Sequence, residues 1–210
     1  MPGTTTRTGA TCDGIAVIRD EHRKLASVLS LLMSQVSACI DTGQEPDLKL
    51  FSLAFDYVDG FLNTQHHPKE NLYLFTELRR QRPDTAGVIE KLEGEHRDGA
   101  VVLARARAAI SDFRKTGDAA ALYAAIGRYC QFEFDHMRLE EDHILPAAEE
   151  SLSPSARSLM NRAFVENHLD PLFGNERRAQ FDRLFHAIKA RTQKTAPAST
   201  DPVPRGASRA

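Results

Sequence analysis

The sequence carries one pattern twice: a lone histidine and, some forty residues on, a second histidine with a glutamate four places after it. His22 precedes His66 and Glu70, and His96 precedes His136 and Glu140. On a helix, residues i and i+4 lie on one face, one turn apart. Each His-x3-Glu pair can therefore aim an imidazole and a carboxylate at one point. That donor set suits a first-row transition metal such as iron, zinc or manganese. A single pair says little, because helices carry many of both residues. Here each pair is preceded by a further histidine in a Glu-His-Arg tripeptide, Glu21-His22-Arg23 and Glu95-His96-Arg97. The repeat predicts two helical hairpins, each giving one histidine from its first helix and a His/Glu pair from its second.

The apolar residues around these positions recur every three or four residues, as on a helix packed in a bundle. A first helix is expected over about 14–40, with Ile15, Ile18, Leu25, Leu29, Leu32 and Val36 on its seam. The missing tooth in that seam is His22. A second runs from near Pro46-Asp47 to about Arg80 through Phe51, Phe55, Val58 and Leu62, then His66 and Glu70 on the same seam, then Tyr73, Leu74 and Leu78. Pro68 removes a backbone donor between the two polar residues and is expected to bend a continuous helix. A third, about 84–114, has Ile89, Leu92, Leu103, Ile110 and Phe113, with His96 on its seam. A fourth, to about Glu150, carries Leu122, Ile126 and Tyr129, then His136 and Glu140. Thr42-Gly43, Arg82-Pro83-Asp84 and Thr116-Gly117-Asp118 supply the turns.

Four long amphipathic helices with short turns predict an all-α fold, an antiparallel up-down-up-down four-helix bundle over 13–152. A C-terminal helical extension packed on the bundle is expected over 153–191, opened by Ser153-Pro154 and broken near Asp170-Pro171. Residues 1–12 are expected to be a flexible arm. The stretch 192–210, dominated by Ala, Pro, Ser and Thr, is expected to be disordered.

Counting outward from each turn puts the six polar residues at the same height, so they should form one layer of the core. Without a partner that layer is costly. An isolated buried polar group costs roughly 2–7 kcal/mol, and a carboxylate more, against a typical stability of about 5–15 kcal/mol. A bound metal reverses the sign. Six donors could wrap one ion, but two histidines and shared carboxylates per ion divide naturally between two. Imidazole and carboxylate without thiolate favour iron, with manganese second.

Composition limits the alternatives. The 210 residues are 41% hydrophobic and 27% charged, which fits one well-buried domain. The formal charge of -2 gives no reason to expect nucleic acid. No apolar run is read as a membrane helix and no apolar signal core opens the chain, so a cytoplasmic location is expected. Cys12, Cys39 and Cys130 are odd in number and far apart, and are expected to be free thiols.

On these residues the sequence resembles the hemerythrin-like, or HHE cation-binding, proteins. The resemblance is carried by Asp20-Glu21-His22, by His66-His67-Pro68-Lys69-Glu70 followed by Leu74-Phe75, by Glu95-His96, and by His136 to Glu140 followed by Leu145-Pro146. It covers about residues 14–150 and extends to Asp170-Pro171-Leu172-Phe173-Gly174 and Leu184-Phe185, which look like the family's C-terminal helices. It implies a four-helix bundle around a non-haem di-iron centre, two oxo- or hydroxo-bridged iron ions open to oxygen, nitric oxide or peroxide, with manganese or zinc ranking behind iron. Oxygen-carrying hemerythrins have a His-x3-His on the third helix, where this chain has His96 and Ala100. They use His-x4-Asp on the fourth, where this chain has His136-x3-Glu140, with Glu141 next. The four-His, two-Glu set resembles bacterial proteins linked with nitrosative stress and iron-centre repair, although their N-terminal cysteine-containing module is not seen here. The expected ligands are His22, His66, Glu70, His96, His136 and Glu140. The expected role is to bind, sense or scavenge oxygen, nitric oxide or iron. A di-iron oxidase or peroxidase, or a stress-response role, is the alternative.

Other polar residues rank below these. Tyr73 and His143 fall one turn beyond Glu70 and Glu140, where each could be a second partner of the site or a helix-end residue. Glu133, one turn before His136, could accept its hydrogen bond. His67, about 100° off the seam, is expected on the surface, and Glu21 and Glu95 in water. His168 and His186 are expected to be structural.

Overall fold

The computed structural model describes residues 13–166 and 182–191. The expected arm over 1–12, the expected tail over 192–210, Cys12, His168 and the break at Asp170-Pro171 lie outside the described residues. Within them the protein is all-helical, with no strand.

Helix α1 is Gly14–Thr42. Asp13 caps its start by accepting from the Ile15 N–H, and Gly43 closes it at φ 70°, a left-handed conformation that glycine adopts without Cβ strain. Helix α2 begins at Leu48, capped by the Asp47 side chain, and continues without a break to Gln81. It is not α-helical throughout. Leu48–Phe61 is followed by a π-helical segment Leu62–His66, an α turn His67–Lys69, a second π segment Glu70–Phe75, and Thr76–Gln81. A short turn of tighter helix, Pro83–Thr85, leads into α3, Ala86–Thr116, which ends at Gly117 with φ 69°. Helix α4 runs through Ala119–Leu139, a π segment Glu140–Ile144, and Leu145–Ser151. Ser153 caps α5, Pro154–Asn161, which passes into a π segment Arg162–Glu166. A last helical stretch, α6, spans 182–191.

Pro68 therefore does not end α2. The ring of a proline strikes the carbonyl four residues back. For Pro68 that residue is Thr64 and for Pro146 it is Asp142, and each lies inside a π segment. The wider turn moves that carbonyl away while the helix continues. Its hydrogen bonds reach five residues back, from the His67 N–H to the Leu62 carbonyl and from the Leu145 N–H to the Glu140 carbonyl.

Helix α4 packs along both α1 and α3, while α2 packs on α3 and α1. Most seam residues predicted from spacing are in the core: Ile15, Ile18, Leu29, Leu32, Val36, Phe51, Ile89, Leu92 and Ile126 are fully buried, while Phe113 and Tyr73 are only partly buried. The core comes in two apolar clusters. One joins Leu25 to Val36, Leu50 to Leu62, Leu103 to Ile110, Leu122 to Cys130, and Ile188 of α6. The other joins Ile15, Ile18, Leu74, Phe75, Leu78, Ile89, Leu92, Ile144, Leu145 and Phe164. Between them lie His22, His66, Glu70, His136 and Glu140, all buried.

The segments after α4 pack on the long helices. Asn161 accepts from the Gly14 N–H at 2.8 Å, an approach that leaves little room for a Cβ on residue 14. In α6, Ile188 is buried, Phe185 lies 6.0 Å from Tyr57, and Arg191 grips Asp47 at the start of α2. Cys39 and Cys130 are free and buried. Contrary to expectation, α1 has the length and composition of a membrane span. Its apolar residues, Leu25, Leu29, Leu32 and Val36 among them, face the other helices, with serines interspersed.

Phe55 tests the first cluster. It is buried, edge-on to Tyr129 at 5.7 Å, with the Arg107 guanidinium over its ring at 5.6 Å. Phe55→Ala should lower the unfolding free energy of the metal-free protein by about 3–5 kcal/mol in urea titrations.

Candidate metal centre

The six residues singled out by spacing meet in one place. His22 comes from α1, His66 and Glu70 from α2, His96 from α3, and His136 and Glu140 from α4. The imidazoles pair through their inner nitrogens. His22 Nε2 lies 3.3 Å from His66 Nε2, and His96 Nε2 lies 3.1 Å from His136 Nε2. The two carboxylates sit between the pairs. Glu70 directs Oε1 to His66 Nε2 at 3.1 Å and Oε2 to His96 Nε2 at 3.7 Å. Glu140 directs Oε2 to His22 Nε2 at 3.2 Å and Oε1 to His136 Nε2 at 3.6 Å. Each carboxylate therefore offers one oxygen to each imidazole pair.

The outer nitrogens fix which way the rings face. His22 Nδ1 meets Glu141 Oε1 at 2.9 Å, and His66 Nδ1 meets Glu21 Oε2 at 2.8 Å. His96 Nδ1 meets Asn71 Oδ1 at 3.0 Å, and His136 Nδ1 meets Glu95 Oε2 at 2.9 Å. All four acceptors are side-chain oxygens, so each Nδ1 carries the proton in a neutral ring, and each Nε2 turns a bare lone pair inward. The acceptors follow a rule. Each is the chain neighbour of one of the six inner residues, and each comes from the preceding helix taken cyclically: α4 holds the histidine of α1, α1 that of α2, α2 that of α3, and α3 that of α4.

This corrects two expectations. Glu21 and Glu95 are not simply solvated. They do not share a helix face with His22 and His96, but they reach the histidine of the next helix. Glu133 does not hold His136, whose acceptor is Glu95. Instead Glu133 is buried near Tyr129, and burial pushes its carboxyl up to about 7. Glu141 and Asn71 were missed as partners. Their signal was position, directly after Glu140 and Glu70.

The π segments account for the other differences. Glu140 opens one, and the extra residue in that turn brings Ile144 inward and leaves His143 exposed. Glu70 likewise opens Glu70–Phe75, so Leu74 and Phe75 are buried while Tyr73 is only half-buried at the edge of the second cluster. The Leu62–His66 segment turns His67 inward as well as His66. His67 is 7% exposed, not a surface residue, and its ring stacks on His96 with centroids 3.9 Å apart. His186 of α6 is exposed.

The inner atoms fit a cation. Both oxygens of Glu70 and both of Glu140 are buried and have no hydrogen-bond partner, although imidazole nitrogens lie within ion-pair reach. Lone pairs that approach without hydrogen-bond alignment share a target that belongs to neither. The nitrogen separations of 3.1 and 3.3 Å are those of two donors, each about 2.1 Å from one ion. His22, His66, Glu70 and Glu140 each place a ligand atom within 4.8 Å of the others, and so do His67, Glu70, His96 and His136.

Protons can partly stand in for that cation. Burial opposes charging His66, but Glu70 and Glu21 outweigh it and hold its pKa well above the ordinary value. At His22 burial is likewise outweighed, by Glu140 and Glu141. At His136 burial is outweighed by Glu140 and Glu95, which bring it up to about 9. His96, pressed by burial and by His136, falls to about 3. Glu140 resists its own burial because His136 and His22 hold it at about 2, while burial and Glu140 push Glu70 up.

A profile of the Hemerythrin HHE cation binding domain matches residues 13–148. No curated protein and no solved structure matches the chain.

The raised histidines set a sign for the metal-free protein. A pKa raised on folding contributes stability that is complete below the unfolded value and lost as pH rises through the folded one. For His136 that window runs from 6.5 to about 9. The melting temperature of the metal-free protein should fall across it. Metal binding displaces these protons, so the stabilisation by added metal should be larger at pH 8.5 than at pH 6, and binding should release protons into weak buffer. Removing an outer acceptor, as in Glu21→Ala or Glu95→Ala, should weaken metal binding by about 10- to 100-fold in chelator competition.

Proposed function

We propose, for a chain that belongs to the hemerythrin HHE cation-binding family, that it is a non-haem di-iron protein that binds, senses or scavenges oxygen, nitric oxide or iron. In this reading the four long helices form an antiparallel up-down-up-down bundle, and the ligands are His22, His66, Glu70, His96, His136 and Glu140. One observation carries it above the rest: Glu70 and Glu140 each direct one oxygen to the His22/His66 pair and the other to the His96/His136 pair. A single ion would leave the second imidazole pair and two carboxylate oxygens without a partner.

The chain's own residues supply position, tautomer and exclusion of water. The outer acceptors keep each Nδ1 protonated, so that Nε2 can ligate. The two apolar clusters seal the layer on both sides. When bound, the paired iron supplies open coordination positions for a small ligand and a change of redox state. A di-iron oxidase or peroxidase is the alternative function at the same site, and steady turnover of peroxide by the reconstituted protein would select it.

Anaerobic reconstitution should give close to two iron ions per chain, with the spectrum of a coupled pair. Glu70→Ala and Glu140→Ala should each abolish that coupling, whereas Glu90→Ala, on the exposed face of α3, should not. One ion per chain at saturation, or coupling unchanged in both inner variants, contradicts the di-iron reading.

A further inference from the structure

His67 is a buried imidazole that the six-residue set leaves without a task. The backbone turns it inward by design of the local helix. The His67 N–H bonds to the Leu62 carbonyl five residues back, and Pro68 follows with no N–H of its own. The wider turn lets two consecutive residues, His66 and His67, face the same interior. On a regular α-helix they would point about 100° apart.

Three observations then set His67 apart from a packed core residue. Its ligand atom lies within 4.8 Å of those of Glu70, His96 and His136, and all of these belong to one cluster. Its Nδ1 is buried and has no hydrogen-bond partner, whereas each of the other four histidines has a side-chain acceptor at Nδ1. Its ring is held against His96, which is itself stacked on Phe75 with centroids 5.7 Å apart. A buried imidazole nitrogen without a partner is costly, and a cation bound by its neighbours removes that cost.

We propose that His67 is a fifth imidazole ligand, belonging to the ion held by Glu70, His96 and His136. The proposal rests on the two-ion reading above and deepens it by making the two positions unequal. One has His22 and His66; the other has His67, His96 and His136; Glu70 and Glu140 are shared. The second position also lies beside a surface cleft of about 320 Å³ lined by Asn63, His67, Asn71, His96, Arg97 and Ala100. His67 and His96 form part of the cleft wall, so this ion borders the cleft.

The test is an anaerobic titration with ferrous ion, monitored by bound metal and circular dichroism. It uses the full-length chain, His67→Phe, which keeps the stack on His96, and His67→Ala with and without millimolar imidazole. The parent should take up two ions. His67→Phe should remain helical, keep one ion at parent affinity and bind the second more than about tenfold more weakly. Free imidazole should restore the second ion to His67→Ala. Two ions at parent affinity in folded His67→Phe, with an unchanged ligand-field spectrum, would overturn the proposal. A parent that saturates with one ion would instead overturn the two-ion reading itself. Should neither variant fold, the cobalt(II)-loaded parent decides by proton NMR. Five exchangeable, hyperfine-shifted imidazole N–H signals support His67 as a ligand, and four contradict it.

Discussion

The structure depends on four hydrogen bonds from the outer faces of four histidines. Each Nδ1 is held by an oxygen from the preceding helix: Glu141 for His22, Glu21 for His66, Asn71 for His96 and Glu95 for His136. The four bonds close a ring around α1 to α4. They fix the rotation of each helix about its axis, because a helix turned by one residue would lose both the bond it makes and the bond it receives. They also choose the tautomer, which leaves four Nε2 lone pairs facing one another across the interior. A cluster of that kind is unfavourable as a closed object and favourable as a cradle.

That cradle cuts the apolar core in two. Below it lies the cluster around Phe51, Phe55 and Tyr129; above it lies the one around Ile18, Phe75 and Ile144. Glu70 and Glu140, fully buried, sit where a continuous core would place leucines. Hydrophobic burial on either side therefore supports a layer that contributes nothing to it. Protons on His66 and His136, whose carboxylate neighbours hold them well above the ordinary imidazole range, offset part of the cost at neutral pH, while His96 stays neutral. Two divalent cations would offset more, because between them they would face every inner lone pair.

Much of this was legible in the residues. Apolar spacing on α1 named Ile15, Ile18, Leu29 and Val36, and each is buried. The gaps in those seams named His22, His66, Glu70, His96, His136 and Glu140, and the structure brings the six together. What spacing missed follows from one assumption, that a helix is straight and regular. A π turn advances the face by one residue without any change of residue type. So His67, expected outside, is inside, and His143, which by spacing could be a second partner of the site or a helix-end residue, is exposed. Pro68 and Pro146 were the available signal, since each has the carbonyl four places back inside a π segment. The outer acceptors were missed for a different reason. Glu21 and Glu95 do not share a face with the histidines of their own helices, and their partners are on the next one.

The central claim is that two imidazole pairs share two carboxylates around two ions. An anomalous-scattering map of crystals of the iron-reconstituted protein tests it most directly. The account predicts two peaks, one bonded to His22 Nε2 and His66 Nε2, the other to His96 Nε2 and His136 Nε2, with Glu70 and Glu140 spanning both. A single peak, or iron bonded through Nδ1 with the outer hydrogen bonds broken, would contradict it.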